Sequence, residues 1–167
     1  MVAGSYVDNC IVTQNVATRA GGAIYLDGGG EVDHSYVRYN QSLGVGISEG
    51  FGGGICVDGA GVVRHTVMAE NVARMGGGLA LLAEEEETAE GNRYAPSAAG
   101  CVVGNNTTIT EAGGVYMRYG GVLNHLAIVN NRCNGANLVY HGRRYGRSAG
   151  IYIDKYGEVF NTVCWGG

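Results

Sequence analysis

The 167-residue sequence predicts an all-β fold, a right-handed parallel β-helix (β-solenoid) of about six coils, each with three short strands on a basic unit of 25 residues. Three observations carry this prediction. One block recurs without gaps along the chain, apolar residues alternate with period two inside each copy, and glycine supplies 31 residues against a single proline. That glycine content is roughly a fifth of the chain where about 7% is usual, so the backbone itself demands it. Collagen would need abundant proline and a strict triplet period, and a flexible linker would lack the recurring Val, Ile and Tyr runs. With 46% hydrophobic and 16% charged residues, neither a disordered acidic tail nor a charged coiled coil fits.

The repeat gives each element its place. GGAIYLDGGGEVDHSYVRYN (Gly21 to Asn40) aligns on GGGICVDGAGVVRHTVMAEN (Gly52 to Asn71) and on AGGVYMRYGGVLNHLAIVNN (Ala112 to Asn131). A fourth copy begins at Ser148, a broken one starts at Gly76 and resumes at Ala99, and Tyr6 to Asn15 form the second half of another. The first strand of each unit carries an inward pair, Ile24/Leu26, Ile55/Val57, Leu79/Leu81, Val115/Met117 and Ile151/Ile153, with Tyr25, Cys56, Ala80, Tyr116 and Tyr152 between them. A second strand lies around Val32 and a third around Val37. Such a unit cannot bury its own apolar face and must stack on its neighbours. The whole chain, residues 1–167, reads as one β-helix domain with insertions near 41–51, 82–98 and 132–148, and the natural polypeptide is expected to be longer.

Corner residues follow from backbone sterics. The position after the second strand holds Asn9, His34, His65, Gly100, His125 and Asn161, residue types that share tolerance of the left-handed region. His34, His65 and His125 are therefore read as structural corners, with no metal expected. Each unit closes on an asparagine, Asn15, Asn40, Asn71, Asn106 and Asn131, expected to form an inward ladder of side-chain amides. Five scattered cysteines without a CxxC pair argue against structural zinc and read as free thiols. No stretch approaches the ~20 apolar residues of a membrane span, and no signal peptide is read in the chain as written.

GGAI at Gly21 to Ile24, GGGI at Gly52 to Ile55 and GGGL at Gly76 to Leu79, each followed by its closing asparagine, resemble the repeats of polymorphic outer-membrane proteins. Those repeats carry GGA(I/L/V) and FxxN tetrapeptides. Here the residue three before the asparagine is Val12, Val37, Met68, Val103 or Ile128, so the resemblance widens to right-handed β-helix repeats of the pectin-lyase-like type. It implies an extracellular or bacterial cell-surface module. Function follows only weakly, because the fold hosts lyases, hydrolases, adhesins and stalks.

The outward face of the first strand is where such enzymes bind sugars. It carries Tyr25, Tyr116 and Tyr152 in one column and Asp27, Asp58, Leu82, Arg118 and Asp154 in the next. Tyrosine rings stack on sugars, and Arg143 and Arg144 in the 132–148 insertion would hold carboxylate or sulfate groups. The leading expectation is an adhesive or binding module for acidic glycans, with Tyr25, Tyr116, Tyr152, Arg143 and Arg144 as ligand contacts. The alternative is a polysaccharide lyase or glycoside hydrolase domain in which Asp27, Asp58, Arg118 and Asp154 are the catalytic candidates, Ca²⁺ being the one cofactor this alternative admits. A cleft holding a carboxylate pair with an Arg or Lys in reach favours the enzyme, and a flat face favours binding. The apolar column Ile11, Tyr36, Val67 and Val102 suggests a protein partner or covering segment. A net charge of -4, a single lysine at Lys155 and no phosphate-cradling loop leave no expectation of nucleic-acid binding.

Overall fold

A computed structural model describes residues 4–46, 49–84, 95–135, 139–140, 143–144 and 148–166, for Val139, Tyr140, Arg143 and Arg144 the backbone only. The chain is a right-handed parallel β-helix of about six coils whose strands stack into four all-parallel sheets. The first sheet comprises Ile24–Asp27, Ile55–Asp58, Leu79–Leu82, Val115–Arg118 and Ile151–Asp154. The second holds Tyr6–Asp8, Glu31–Asp33, Val62–Arg64, Ser97–Ala99, Val122–Asn124 and Glu158–Phe160. The third holds Ile11–Thr13, Tyr36–Arg38, Val67–Ala69, Val102–Gly104, Ala127–Val129 and Val163–Trp165. A further short strand follows each closing asparagine, so that Val16–Ala17, Gln41–Ser42, Val72–Met75, Thr107–Glu111 and Arg132–Cys133 add a fourth sheet to the three read from the sequence.

The register is columnar. Ile24 pairs with Ile55, Ile55 with Leu79, Leu79 with Val115 and Val115 with Ile151, as the offsets require. Inward residues of the first three sheets merge into one core, in which Ile55, Leu79, Leu81, Met68, Met117, Leu123 and Ile128 are buried. Each fully buried aliphatic side chain contributes about 1.5–3 kcal/mol. On the fourth sheet the inward residues Ser42, Ala73 and Thr108 are buried and small, so the chain can run close to the axis there.

Two requirements explain the glycine pairs. Gly52 has φ 59°, and a Cβ on it would lie 2.1 Å from the Ile55 carbonyl oxygen. The second glycine of the pair fails for a different reason: a Cβ on Gly53 would meet the Gly77 carbonyl of the next coil at 2.4 Å, and one on Gly77 would meet Gly113 at the same distance. Coils can stack here only without side chains.

The corner column adopts the left-handed region throughout, with φ 51° at Asn9, 42° at His34 and His65, 62° at Gly100, 56° at His125 and 46° at Asn161. The residue after it forms a second ladder that the sequence reading missed. Ser35 Oγ donates to the Asp33 carbonyl and accepts the Cys10 N–H at 3.1 Å, and Thr66 Oγ1 donates to the Arg64 carbonyl and accepts the Ser35 N–H at 3.3 Å. Cys10 and Cys101 stand in this column, and their thiols donate to the carbonyls of Asp8 and Ala99.

The closing asparagines are the strongest polar device in the interior. Asn40, Asn71, Asn106 and Asn131 are buried. Each Oδ1 accepts both the backbone N–H and the Nδ2–H of the preceding asparagine, at 2.9–3.1 Å along Asn40, Asn71, Asn106 and Asn131. Nδ2 of Asn71 also donates to the Val37 carbonyl, and that of Asn106 to Met68. One side chain thereby ties three coils and leaves none of its own polar atoms unpaired.

Candidate functional site

The outward face of the first sheet is ordered by the same register: Tyr25, Cys56, Ala80, Tyr116 and Tyr152 form one row and Asp27, Asp58, Leu82, Arg118 and Asp154 the next. The middle of this face is covered. Phe51, at the end of the 41–51 insertion, packs with Cys56, Met75, Ala80, Leu82, Ala112 and Tyr116 into a second apolar cluster. Parallel bridges from Ala20 to Phe51 and from Phe51 to Met75 fix it there. The insertion is held down by Arg74, whose guanidinium donates to the carbonyls of Val45 and Gly46, and is braced internally by the Gly46 N–H on the Glu49 carboxylate.

This cover changes the role open to Tyr116. The ring is 4% exposed, 5.6 Å from Phe51 and stacked on Tyr152 at 5.7 Å with planes 14° apart. Alternation places Tyr116 outward, but Phe51 and Tyr152 occupy its two sides, so it has no free face for a sugar. Burial pushes its phenol above the ordinary range, with the Asp154 charge adding to the shift. Tyr152 is half-buried as the outer member of the stack.

An open groove of about 550 Å³ lies beside the cover, lined by Arg19, Tyr25, Asp27, Phe51, Asp58 and Arg118 among others. The Tyr25 hydroxyl donates to Asp58 Oδ2 at 2.6 Å, which fixes the ring across two coils while leaving it 46% exposed. Partial burial and this bond push the Tyr25 phenol upward, so it stays protonated and keeps donating. The Arg118 guanidinium lies 5.1 Å from the Phe51 ring and 5.5 Å from that of Tyr119. Its Nε is buried without a hydrogen-bond partner among the described residues. The groove therefore offers a fixed aromatic ring, two carboxylates that can accept from a sugar diol, and two guanidinium groups.

The structure thus gathers Tyr25, Asp27, Asp58 and Arg118, with Arg19 and Phe51 as members that sequence reasoning missed. Asp154 shares their column but does not line the groove. Arg143 and Arg144 form a short strand paired antiparallel with Val139 and Tyr140, and their side chains fall outside the described residues. On the third sheet Ile11 and Tyr36 are strongly exposed, Val102 marginally so, and Val67 is half-buried. Among the described residues no helix is long and apolar enough to cross a membrane.

The chain matches no protein-family model, no curated protein and no solved structure.

Proposed function

We propose that the protein is an extracellular or cell-surface β-solenoid module that binds acidic glycans in the groove beside Phe51. The resemblance of its GGAI repeats to polymorphic outer-membrane and pectin-lyase-like proteins supports the setting. The observation that carries the ligand class is the meeting in one groove of the exposed, hydrogen-bonded Tyr25 ring with the side chains of Arg19 and Arg118. A sugar ring on Tyr25 gains apolar contact while its hydroxyls donate to Asp27 or Asp58, and a carboxylate or sulfate gains charge-assisted bonds from Arg118 and Arg19. Nothing in this scheme requires turnover.

Binding of polygalacturonate, of a heparin-type sulfated glycan and of a neutral glucan, followed by calorimetry, tests the reading. The acidic chains should bind, more weakly as salt rises, because exposed charge pairs are screened over ~8 Å at physiological ionic strength. Tyr25→Ala and Arg19→Ala should each weaken binding about tenfold, and replacing Arg143 and Arg144 together with alanine tests whether their strand adds to it. Preference for the neutral glucan, or indifference to both groove variants, refutes the proposal.

A second reading has its own observation: the face is a groove rather than flat, and it brings Asp27 and Asp58 together with Arg118. By the criterion stated for this face that arrangement counts towards a lyase or hydrolase, whereas the Tyr25 hydroxyl already bonded to Asp58 Oδ2 and the exposed ring beside it count towards binding. Depolymerisation of polygalacturonate that is abolished by Asp58→Ala would establish the enzyme in place of the adhesin.

A further inference from the structure

A second cluster lies at the corner between the second and third sheets. The corner explains why residues 34 and 65 tolerate left-handed φ, but not why both are histidine or why aspartate precedes His34. In that preceding column Asp8, Asp33, Arg64, Ala99, Asn124 and Phe160 follow one another, so no backbone rule requires acid.

The two imidazoles converge. Nδ1 of His65 lies 3.0 Å and Nδ1 of His34 3.1 Å from the same oxygen, Oδ1 of Asp33. That oxygen also accepts the His34 backbone N–H at 2.9 Å. The rings stack at 4.8 Å, and the three ligand atoms lie within 4.8 Å of one another. Oδ1 of Asp8 stands 3.6 Å from the His34 nitrogen as a fourth oxygen.

We propose that Asp33, His34 and His65 form a surface site for a borderline-soft divalent cation of the Zn²⁺ class, with Asp8 or water completing the set. Ligands about 2.0–2.1 Å from a tetrahedral metal stand roughly 3.4 Å apart; the Asp33 oxygen stands 3.0 and 3.1 Å from the two imidazole nitrogens, and the three ligand atoms together lie within 4.8 Å, so a small inward turn of the exposed rings closes the set around a cation. Two imidazole nitrogens favour zinc, copper or nickel over calcium or magnesium, which take oxygen. The carrier is rigid, since residues 33 and 34 belong to one coil and residue 65 to the next, fixed by strand pairing. Asp33 is only slightly exposed, while both histidine side chains are more than half exposed, so the cation can enter from solvent. His125 lacks the arrangement, with Gly100 and Asn161 as its column neighbours and Asn124 before it.

Titrating the metal-free protein with ZnCl₂ by calorimetry tests the site, with the Co²⁺ absorption spectrum reporting coordination. One equivalent of Zn²⁺ should bind, and Co²⁺ should show the intense visible bands of a tetrahedral complex. His34→Asn and His65→Asn keep corner-compatible residues and should leave the circular-dichroism spectrum unchanged while weakening zinc binding by about a hundredfold or more. Asp33→Asn should weaken it similarly, and His125→Asn and His141→Asn should not. Stoichiometric binding that survives His34→Asn and His65→Asn, binding lost equally in His125→Asn or His141→Asn, or no saturable binding overturns the proposal.

Discussion

Replacing Asn71 by alanine tests how much the asparagine ladder holds. The side chain makes four hydrogen bonds: it accepts the Asn40 N–H at 2.9 Å and Asn40 Nδ2 at 3.0 Å, and it donates to the Val37 carbonyl at 2.9 Å and to Asn106 Oδ1 at 3.1 Å. Asn40 Nδ2 retains carbonyls of Val12 and Arg38, and Asn106 Oδ1 retains the Asn71 N–H. The Asn40 backbone N–H is left with no acceptor in a buried position, at a cost of about 1–3 kcal/mol, and the remaining lost bonds are worth about 0.5–1.5 kcal/mol each. Asn71→Ala should therefore destabilise by roughly 2.5–7.5 kcal/mol, a large part of the ~5–15 kcal/mol typical of a folded domain. Asn15→Ala is the control, because that side chain is exposed and water replaces its partners, so its cost should stay below about 1 kcal/mol. Urea unfolding followed by circular dichroism reads both. Equal midpoints for the two variants, or a loss below about 1 kcal/mol at Asn71, would refute the ladder as a source of stability.

Two other expectations follow from local geometry. Gly53→Ala forces a Cβ to within 2.4 Å of a carbonyl in the next coil and should cost at least about 3 kcal/mol or abolish folding, whereas Gly28→Ala meets nothing within 4 Å and should cost only about 1–3 kcal/mol for its φ of 69°; thermal melts that rank them the other way would contradict the stacking account. Burial pushes the Cys101 thiol up to about 11, against weaker lowering by its backbone hydrogen bonds, and burial also pushes the Cys56 thiol upward. The raised folded value of Cys101 means that its contribution to stability is complete below the thiol's unfolded value of 9.0 and is lost as pH climbs towards 11. At pH 8, iodoacetamide should label the exposed Cys10 and spare Cys56 and Cys101 until urea is added; labelling of all three in the native state would refute their burial.

What could be read from the sequence was whatever repeats. Period-two alternation and the offsets specify the first three sheets because each strand carries one inward apolar residue or more at a fixed distance from its glycine pair. The fourth sheet had no such mark: Gln41–Ser42 and Arg132–Cys133 are two residues long, while Thr107–Glu111 runs to five and pairs with Val72–Met75 through a shifted register. The hydroxyl ladder was hidden because its column mixes Ser35, Thr66 and Thr162 with Cys10, Cys101 and the apolar Leu126, and the cysteines read as small apolar fillers. Tyr25, Asp27, Asp58 and Arg118 could be placed on one face from strand register alone. Phe51 could not, because it belongs to an insertion without a counterpart in the other coils, and its contact with Tyr116 is a tertiary event that alternation does not encode.

The asparagine ladder also gives the molecule a direction. Every Oδ1 in the series faces the preceding coil, and Nδ2 of Asn40, Asn71 and Asn106 each donates to the Oδ1 of the following asparagine as well as back to a carbonyl of the preceding coil, so the amide-to-amide bonds run head to tail like links of a one-way chain. Neighbouring bonds in such a row polarise one another in the same sense. A coil added in the reverse orientation would set carbonyl against carbonyl, so the interior itself discriminates between forward and backward growth of the solenoid. The orientation of each coil relative to the last is thus written along the inside wall by a single residue type.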